Sequence, residues 1–308
     1  MIYQSGHWKG PGLGCAVKIA LDGEIFELEE ATLAVSERGF LYGDGIFETI
    51  RLYGGRAFGA ERHLSRMTRS AKFLSLPEPN PDLFTIAEEL SRLNGHHDGA
   101  ARITLTRGNA AAPLRPDQSA AKPTTLVTTR ALPPGLEATQ HDGVPGRTLP
   151  YPLRAEGLAL QNHKTINYLP SLLALRDVPA GETPIIETTG GNLSEAATSN
   201  LFWVKERTLY TPSLSMGALP GIARELVIEL AAEASVEVCE VAKTKSALLN
   251  ADEAFLTNSI IEVTPLTSLD GEEIATGVPG PLTRLLQELW HKKVVKDIGG
   301  YGSPGSKD

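Results

Sequence analysis

Lys164 is the one residue of fixed charge in a run of weakly polar side chains from Gly157 to Leu175, bounded by Glu156 and Arg176. A lone lysine in such surroundings is a candidate functional amine. Desolvation disfavours its ammonium form and lowers its pKa, as a Schiff-base or general-base lysine requires. Gly217-Ala-Leu-Pro-Gly-Ile-Ala-Arg-Glu225 reads as a loop feeding straight into a helix. Free backbone N–H groups from Gly221 through Ile222 to Ala223 would then suit a phosphate. The GK[ST] ending of a P-loop is absent. Glu195 lies among small and polar residues between two strand-like runs, where its carboxylate suits a cation such as a protonated ring nitrogen. Arg66 and His63 share a helix with Arg62 and Arg69, and Arg107 ends an apolar strand, placed to take a carboxylate in two-pronged fashion. Ser259, in Thr257-Asn-Ser-Ile-Ile-Glu262, offers a hydroxyl to an anion. Each feature alone also fits a plainer role: an exposed loop lysine, an ordinary turn, a hydrophilic hairpin, a solvated helix face or a surface ion pair.

The elements that must position these groups alternate along the chain. Strand-like alternation runs over 16–21 and 24–28 around an Asp22-Gly23 turn, and a second hairpin brackets Gly54-Gly55. Helices are predicted over 61–74, with Leu64, Met67, Ala71 and Leu74 on one face, and over 82–93. Strands follow at 101–107 and 124–129, joined by a Pro/Ala-rich loop over 108–123. Leu132-Pro-Pro-Gly135 reads as a linker. Beyond it come a helix from Pro170 to about 178, strands at 184–189, 201–204 and 208–210, and a helix over 222–234. A strand at 236–241, a short helix at 246–250, a strand at 253–256 and a last helix over 281–291 complete the reading. The class is α+β: residues 1–130 form a small domain with a 1–16 extension, 131–136 the linker, 137–295 a larger domain, and 296–308 a disordered tail.

Composition bounds the partners. A formal net charge of −8 disfavours nucleic acid and anionic membranes. Cys15 and Cys239 are far apart, which argues against a disulfide framework, and His96-His97 lack the carboxylates or cysteines of a metal site. The N-terminal residues lack the basic and apolar pattern of a signal peptide, and no stretch has the ~20 apolar residues of a membrane helix. A cytoplasmic protein is expected.

Taken together and in order, the segments resemble one family. Ser36-Glu-Arg-Gly-Phe-Leu-Tyr-Gly-Asp-Gly-Ile-Phe-Glu-Thr49, His163-Lys-Thr-Ile-Asn-Tyr-Leu169, Leu193-Ser-Glu-Ala-Ala-Thr-Ser-Asn-Leu-Phe202, Leu219-Pro-Gly-Ile-Ala-Arg224 and Asn258-Ser-Ile-Ile-Glu-Val-Thr-Pro265 are similar to the blocks of the fold-type IV pyridoxal-phosphate aminotransferases. The resemblance implies a two-domain fold, a small N-terminal α/β domain and a larger domain with a mixed, barrel-like sheet, together with pyridoxal 5′-phosphate as cofactor. It implies that Lys164 forms the Schiff base, Glu195 pairs with the pyridine nitrogen, and Arg66 holds the phosphate with the helix start at Gly221, Ile222 and Ala223 and with Ser259. Many members have Thr where Ala223 stands. Tyr168 lies near a tyrosine that bonds the ring oxygen, while Tyr42, Arg107 and Ile260 fall at substrate-facing positions. A homodimer acting on an amino acid and a 2-oxo acid by ping-pong kinetics is implied. The 103–108 strand lacks the Tyr-x-Arg-Pro of many branched-chain enzymes and is closer to the D-amino-acid enzymes and the 4-amino-4-deoxychorismate lyases. A D-amino-acid aminotransferase is favoured, with the lyase and then the branched-chain L-amino acid enzyme as alternatives, and a non-catalytic cofactor-binding protein outside enzymes.

Overall fold

In the computed structural model, which describes residues 17–109, 114–115 and 122–299, period-two alternation builds the first sheet. β1 (Lys18–Leu21) and β2 (Glu24–Glu27) form a hairpin, and α1 (Arg38–Tyr42) leads into β3 (Gly45–Tyr53). β3 turns through Gly54-Gly55, both at positive φ, into β4 (Arg56–Ala57). After α2 (Ala60–Phe73) and α3 (Asp82–Leu93), β5 (Gly99–Asn109) and β6 (Lys122–Ala131) complete a spatial order 2-1-6-5-3-4. One face carries Ile46, Ile50, Leu52, Ile103, Leu105 and Val127, buried under Met67 and Ala71 of α2 and Leu83, Ala87 and Leu90 of α3. The register pairs Thr49 with Arg102 and Ala100 with Arg130, so the opposite face presents Phe47, Thr49, Arg102 and Arg130. That face borders the candidate site.

The chain leaves this sheet through 132–135, where the linker is expected, into α4 (Leu136–Asp142). A second, mixed sheet then uses β7 (Val144–Thr148), β8 (Thr183–Glu187), β9 (Leu193–Ala196), β10 (Asn200–Lys205), β11 (Thr208–Pro212), β12 (Val238–Val241), β13 (Glu253–Asn258) and β14 (Glu262–Leu269), with β15 (Glu272–Glu273) paired to β14. Its order is 12-11-10-13-14-7-8-9, and β9 returns against β10 and β11, so the sheet curls into a half-barrel. α5 (Leu169–Arg176), α6 (Ile222–Glu233), α7 (Lys245–Leu249) and α8 (Pro281–Ile298) surround it.

Most elements fall where the periodicity places them, and the differences have physical causes. α8 runs to Ile298 because Leu286, Trp290, Val294 and Ile298 recur every fourth residue and enter the core beside α6. The tail expected from 296 therefore begins inside a helix, and 300–308 lie outside the described residues. The expected 108–123 loop is partly strand, since β5 reaches Asn109 and β6 begins at Lys122. Its middle, 110–113 and 116–121, lies outside the described residues, as does the 1–16 extension. α1, α4, β7 and β14 had no sequence signal, being short or built around residues such as Pro145, Gly146 and Pro265 that weaken strand patterns.

α8 starts at Pro281 after Gly280, which has no side chain to cap it. The buried Glu253 carboxylate supplies the cap from β13, accepting from Leu282 N (3.0 Å), Thr283 N (2.8 Å) and Thr283 Oγ1 (2.8 Å). Glu253→Ala should lower unfolding free energy by about 1–2 kcal/mol, read as a lower urea midpoint; an unchanged midpoint would show that the cap is dispensable.

Candidate active site

Lys164 is set by its backbone before its side chain. The stretch after the 3-10 turn Ala159–Asn162 is extended and pairs with the start of β3: Lys164 O accepts from Phe47 N (2.9 Å), and Ile166 N donates to Gly45 O (3.0 Å). This stitch places Lys164 Nζ 4.5 Å from the Phe47 ring centroid and 5.9 Å from that of Tyr168. Burial pushes the amine pKa down to about 8; the Arg66 and Arg102 charges add to the effect, against Glu48 and Glu195. Tyr168 packs edge-on against Phe47 at 5.3 Å, and burial, then the Glu195 charge, raises its phenol pKa, so it stays a donor.

Arg66 is not on the solvated face of α2. Its Nε donates to Glu48 Oε1 (2.8 Å) and its Nη1 to Pro220 O (3.2 Å), which ties α2 to the loop before α6. Glu48 sits on the apolar face of β3 and also meets His63 Nδ1 at 2.7 Å. Burial by itself raises the Glu48 pKa, but Arg66 and His63 override it and hold the carboxyl down to about 2. Burial lowers the His63 pKa despite Glu48, so the ring is neutral and Nδ1–H donates to the carboxylate, leaving Nε2 3.4 Å from Ser259 Oγ.

The α6 N-terminus opens beside Arg66. Gly221 at the N-cap has no side chain, so the leading N–H groups at Ile222 and Ala223 carry no side-chain cap. A Cβ on Gly221 would lie 2.0 Å from Asn200 Oδ1, while Asn200 Nδ2 donates to Leu219 O (2.8 Å). Glycine is what lets β10 approach the helix start so closely. Glu195 lies on β9, buried, and not on an exposed hairpin connection. Leu219 N (2.9 Å) donates to its Oε2 and Arg154 Nη2 (2.9 Å) to its Oε1.

A cavity of about 520 Å3 joins these parts. Of the expected residues, Arg66, Lys164, Tyr168, Glu195, Gly221 and Ile222 line it, joined by Ala223, Ser259 and Ile260. Tyr42 and Arg107 do not. Tyr42 is half exposed at the end of α1 with the Arg38 guanidinium 5.0 Å from its ring. Arg107 is buried and spent: Asp44 accepts from its Nε (2.8 Å) and Nη2 (3.1 Å), and the carbonyls of Ser75 (2.9 Å) and Leu74 (2.8 Å) take the rest. Its guanidinium ties β5 to the turn before β3 and to the end of α2, and is not available to a substrate carboxylate. Sequence reasoning missed Glu48, Arg154, Arg102 and Arg130. Glu48 carried a signal: a carboxylate between Ile46 and Ile50 on a buried strand face requires a buried cation.

Chemically, the cavity provides a cationic, N–H-lined cradle for a phosphate, a desolvated amine for a carbonyl, and a buried carboxylate for a protonated ring nitrogen. These donors fit a phosphorylated pyridine aldehyde. Among the described residues no cluster of metal-ligating side chains occurs, and no helix is long and apolar enough to cross a membrane. The depressed Lys164 pKa carries a stability consequence. Between about 8 and the ordinary value of 10.5 the unfolded chain holds more protons than the folded one, so unfolding free energy rises with pH across that window. Lys164→Ala should be more stable than the wild type at pH 7 and lack that rise, checked by urea melts without cofactor; parallel pH profiles would show an unperturbed amine.

Comparison with known proteins identifies what the cavity belongs to. Residues 45–269 match the family model of the class IV amino-transferases. The chain is 32% identical over 289 residues to a D-alanine aminotransferase of Bacillus licheniformis, covering 91% of this chain and 98% of that one. It is 34% identical over 299 residues to an aminodeoxychorismate lyase of Bacillus subtilis, covering 92% and 97%. The crystal structure of the Escherichia coli branched-chain amino acid aminotransferase superposes with a TM-score of 0.84 at 28% identity, covering 93% of this chain and 98% of that one. With this fold, this cavity and these matches, the chain belongs to the class IV aminotransferases, the fold-type IV enzymes whose cofactor is pyridoxal 5′-phosphate.

Proposed function

We propose that this enzyme moves an amino group between an amino acid of the D series and a 2-oxo acid by a ping-pong cycle, as a cytoplasmic homodimer. In this reading residues 1–130 form the small domain and 137–295 the large one, joined by 131–136. The observation that carries the reading is the desolvated Lys164 amine, facing one cavity with Glu195 and the open α6 N-terminus. Pyridoxal 5′-phosphate, when bound, supplies an aldehyde and an electron-withdrawing ring. Arg66 and the N–H groups of Ile222 and Ala223 bind the phosphate, with Ser259 beside them. Glu195, its two oxygens fixed by Arg154 and Leu219 N, holds a proton on the ring nitrogen. Tyr168 O–H orients the ring oxygen. Lys164, with a pKa near 8, has a usable fraction of free amine near neutrality, and it carries the proton between the substrate Cα and the cofactor C4′.

Support for the D series comes from the Bacillus licheniformis relative and from the 103–108 strand, which lacks Tyr-x-Arg-Pro. Arg107, whose guanidinium is held by Asp44, lends it no support. The similarity to the Bacillus subtilis aminodeoxychorismate lyase favours pyruvate elimination as the second reading, through the same lysine and cofactor. The homodimer is supported by apolar side chains left exposed on one copy, Phe40 and Leu41 on α1 and Leu169 and Leu172 on α5.

Lys164→Ala should lose at least about 10³-fold in turnover while still folding, since a positioned proton carrier contributes on that order. Purified wild type given D-alanine and 2-oxoglutarate should yield pyruvate and D-glutamate; pyruvate from aminodeoxychorismate alone would install the lyase instead. Sedimentation should show a species of twice the chain mass, and a monomer at working concentration would remove the dimer from this reading.

A further inference from the structure

Behind the anion cradle lies a second, smaller cavity of about 30 Å3. Ile222, Ala223 and Ser259 line both cavities, so the α6 start and the turn at 258–261 form the wall between them. The odd-numbered residues of β3 lead to it. Phe47 and Thr49 line the main cavity, Tyr53 enters the core with α6 and α8, and Arg51, between them, lines the small cavity.

Arg51 is only 8% exposed, yet no carboxylate lies within ion-pair distance of it among the described residues. Its Nη1 donates to Ile260 O (3.1 Å), and its Nε is buried with no partner. The guanidinium stands 4.8 Å from the Tyr53 ring centroid, but the nearby Glu262 carboxylate is taken by the Tyr53 hydroxyl (2.7 Å). The other charges of the lining are matched. Arg62 pairs with Glu229 (2.8 Å) and Lys293 with Asp297 (2.9 Å), all on the more exposed side. His63 is neutral, and its Nδ1–H is spent on Glu48.

One positive charge is therefore left uncompensated beside a cavity walled elsewhere by Phe58, Leu226 and Trp290. A buried cation with neither counter-charge nor full hydrogen bonding is strongly disfavoured. A water in the cavity answers the hydrogen bonding but leaves the charge. The volume is about that of one water molecule in the liquid, which suits one ion of halide size.

We infer that the small cavity holds a single halide-sized anion, chloride where salt supplies it, as the counter-ion of Arg51. The anion sits against the Arg51 guanidinium, across the Ser259–Ile260 turn from the main cavity. With its charge balanced, Arg51 keeps its hold on Ile260 O, and so on a turn that lines the main cavity. The site is made by this chain's own residues and is independent of which amino acid and 2-oxo acid the enzyme takes.

The test uses the cofactor-loaded enzyme. Crystals soaked in sodium bromide should show an anomalous-scattering peak in the small cavity, in contact with Arg51. In solution, chloride replacing gluconate at constant ionic strength should raise the thermal midpoint along a saturable curve, as a ligand of the folded state does. Arg51→Met removes the charge and keeps most of the bulk. It should weaken halide binding at least about tenfold, the scale of one charge-assisted contact. Should that variant fail to fold, the wild-type crystal decides by itself. The inference is overturned by the absence of a bromide peak, by a peak without a saturable chloride response, or by a response unchanged in Arg51→Met. A peak confined to crystals of the cofactor-free protein would overturn it too, by showing that the cofactor phosphate is what neutralises Arg51.

Discussion

A half-buried lysine amine in the field of two guanidinium groups is disfavoured as an ammonium, and much of this structure holds it there. Burial and the Arg66 and Arg102 charges all act against the ammonium form of Lys164. No carboxylate touches the amine to relieve them among the described residues. Glu48 and Glu195 act on it only from a distance, each already bound to an arginine of its own. The amine is kept at the cavity wall because its backbone is stitched to β3, whose other side is packed on α2 and α3. The cost is offset elsewhere, in two hydrophobic cores that meet the cavity lining only at Ala223.

β3 is the element on which the two requirements meet. Its even-numbered residues Ile46, Glu48, Ile50 and Leu52 enter the core under the helices, and its odd-numbered Phe47 and Thr49 face the cavity. Glu48 is the exception on the core side, a buried carboxylate among apolar residues. A buried carboxylate there draws Arg66 and His63 inward from α2, which places the Arg66 guanidinium against the loop that opens α6. One misplaced charge on an otherwise apolar strand face thus joins β3 and its neighbour α2 to the distant loop before α6 at the anion-cradle end of the cavity.

The second sheet supplies the opposite end by the same logic of close approach. β9 and β10 carry Glu195 and Asn200, and both side chains meet the 219–221 loop. Gly221 admits Asn200 at a distance that any Cβ would forbid, so helix start and carboxylate are held in fixed relation. The half-barrel curl of the sheet brings β9 back against β10, which keeps Glu195 buried although its strand ends the strand order. Two sheets meeting at a cavity therefore place a carboxylate, an amine and an anion cradle without any of them belonging to a single continuous motif.

Much of this was legible in the sequence. Alternation and helical periodicity located most of the strands and helices, because burial of one face imposes those periods on any chain that folds this way. The isolation of Lys164, the loop-to-helix turn at Gly221 and the order of the similar blocks pointed to the chemistry and the family. The direction of individual charged side chains was not legible. Arg66 and Arg62 are one turn apart on the same helix, yet one is buried on Glu48 and the other pairs with Glu229 on α6. Arg107 and Arg102 lie on the same strand, yet Asp44 claims the first while the second is left to the cavity. Spacing assigns a residue to a face of its own element. Which charge finds its partner depends on what the rest of the chain brings to that face, and that is decided only when the sheets and helices pack.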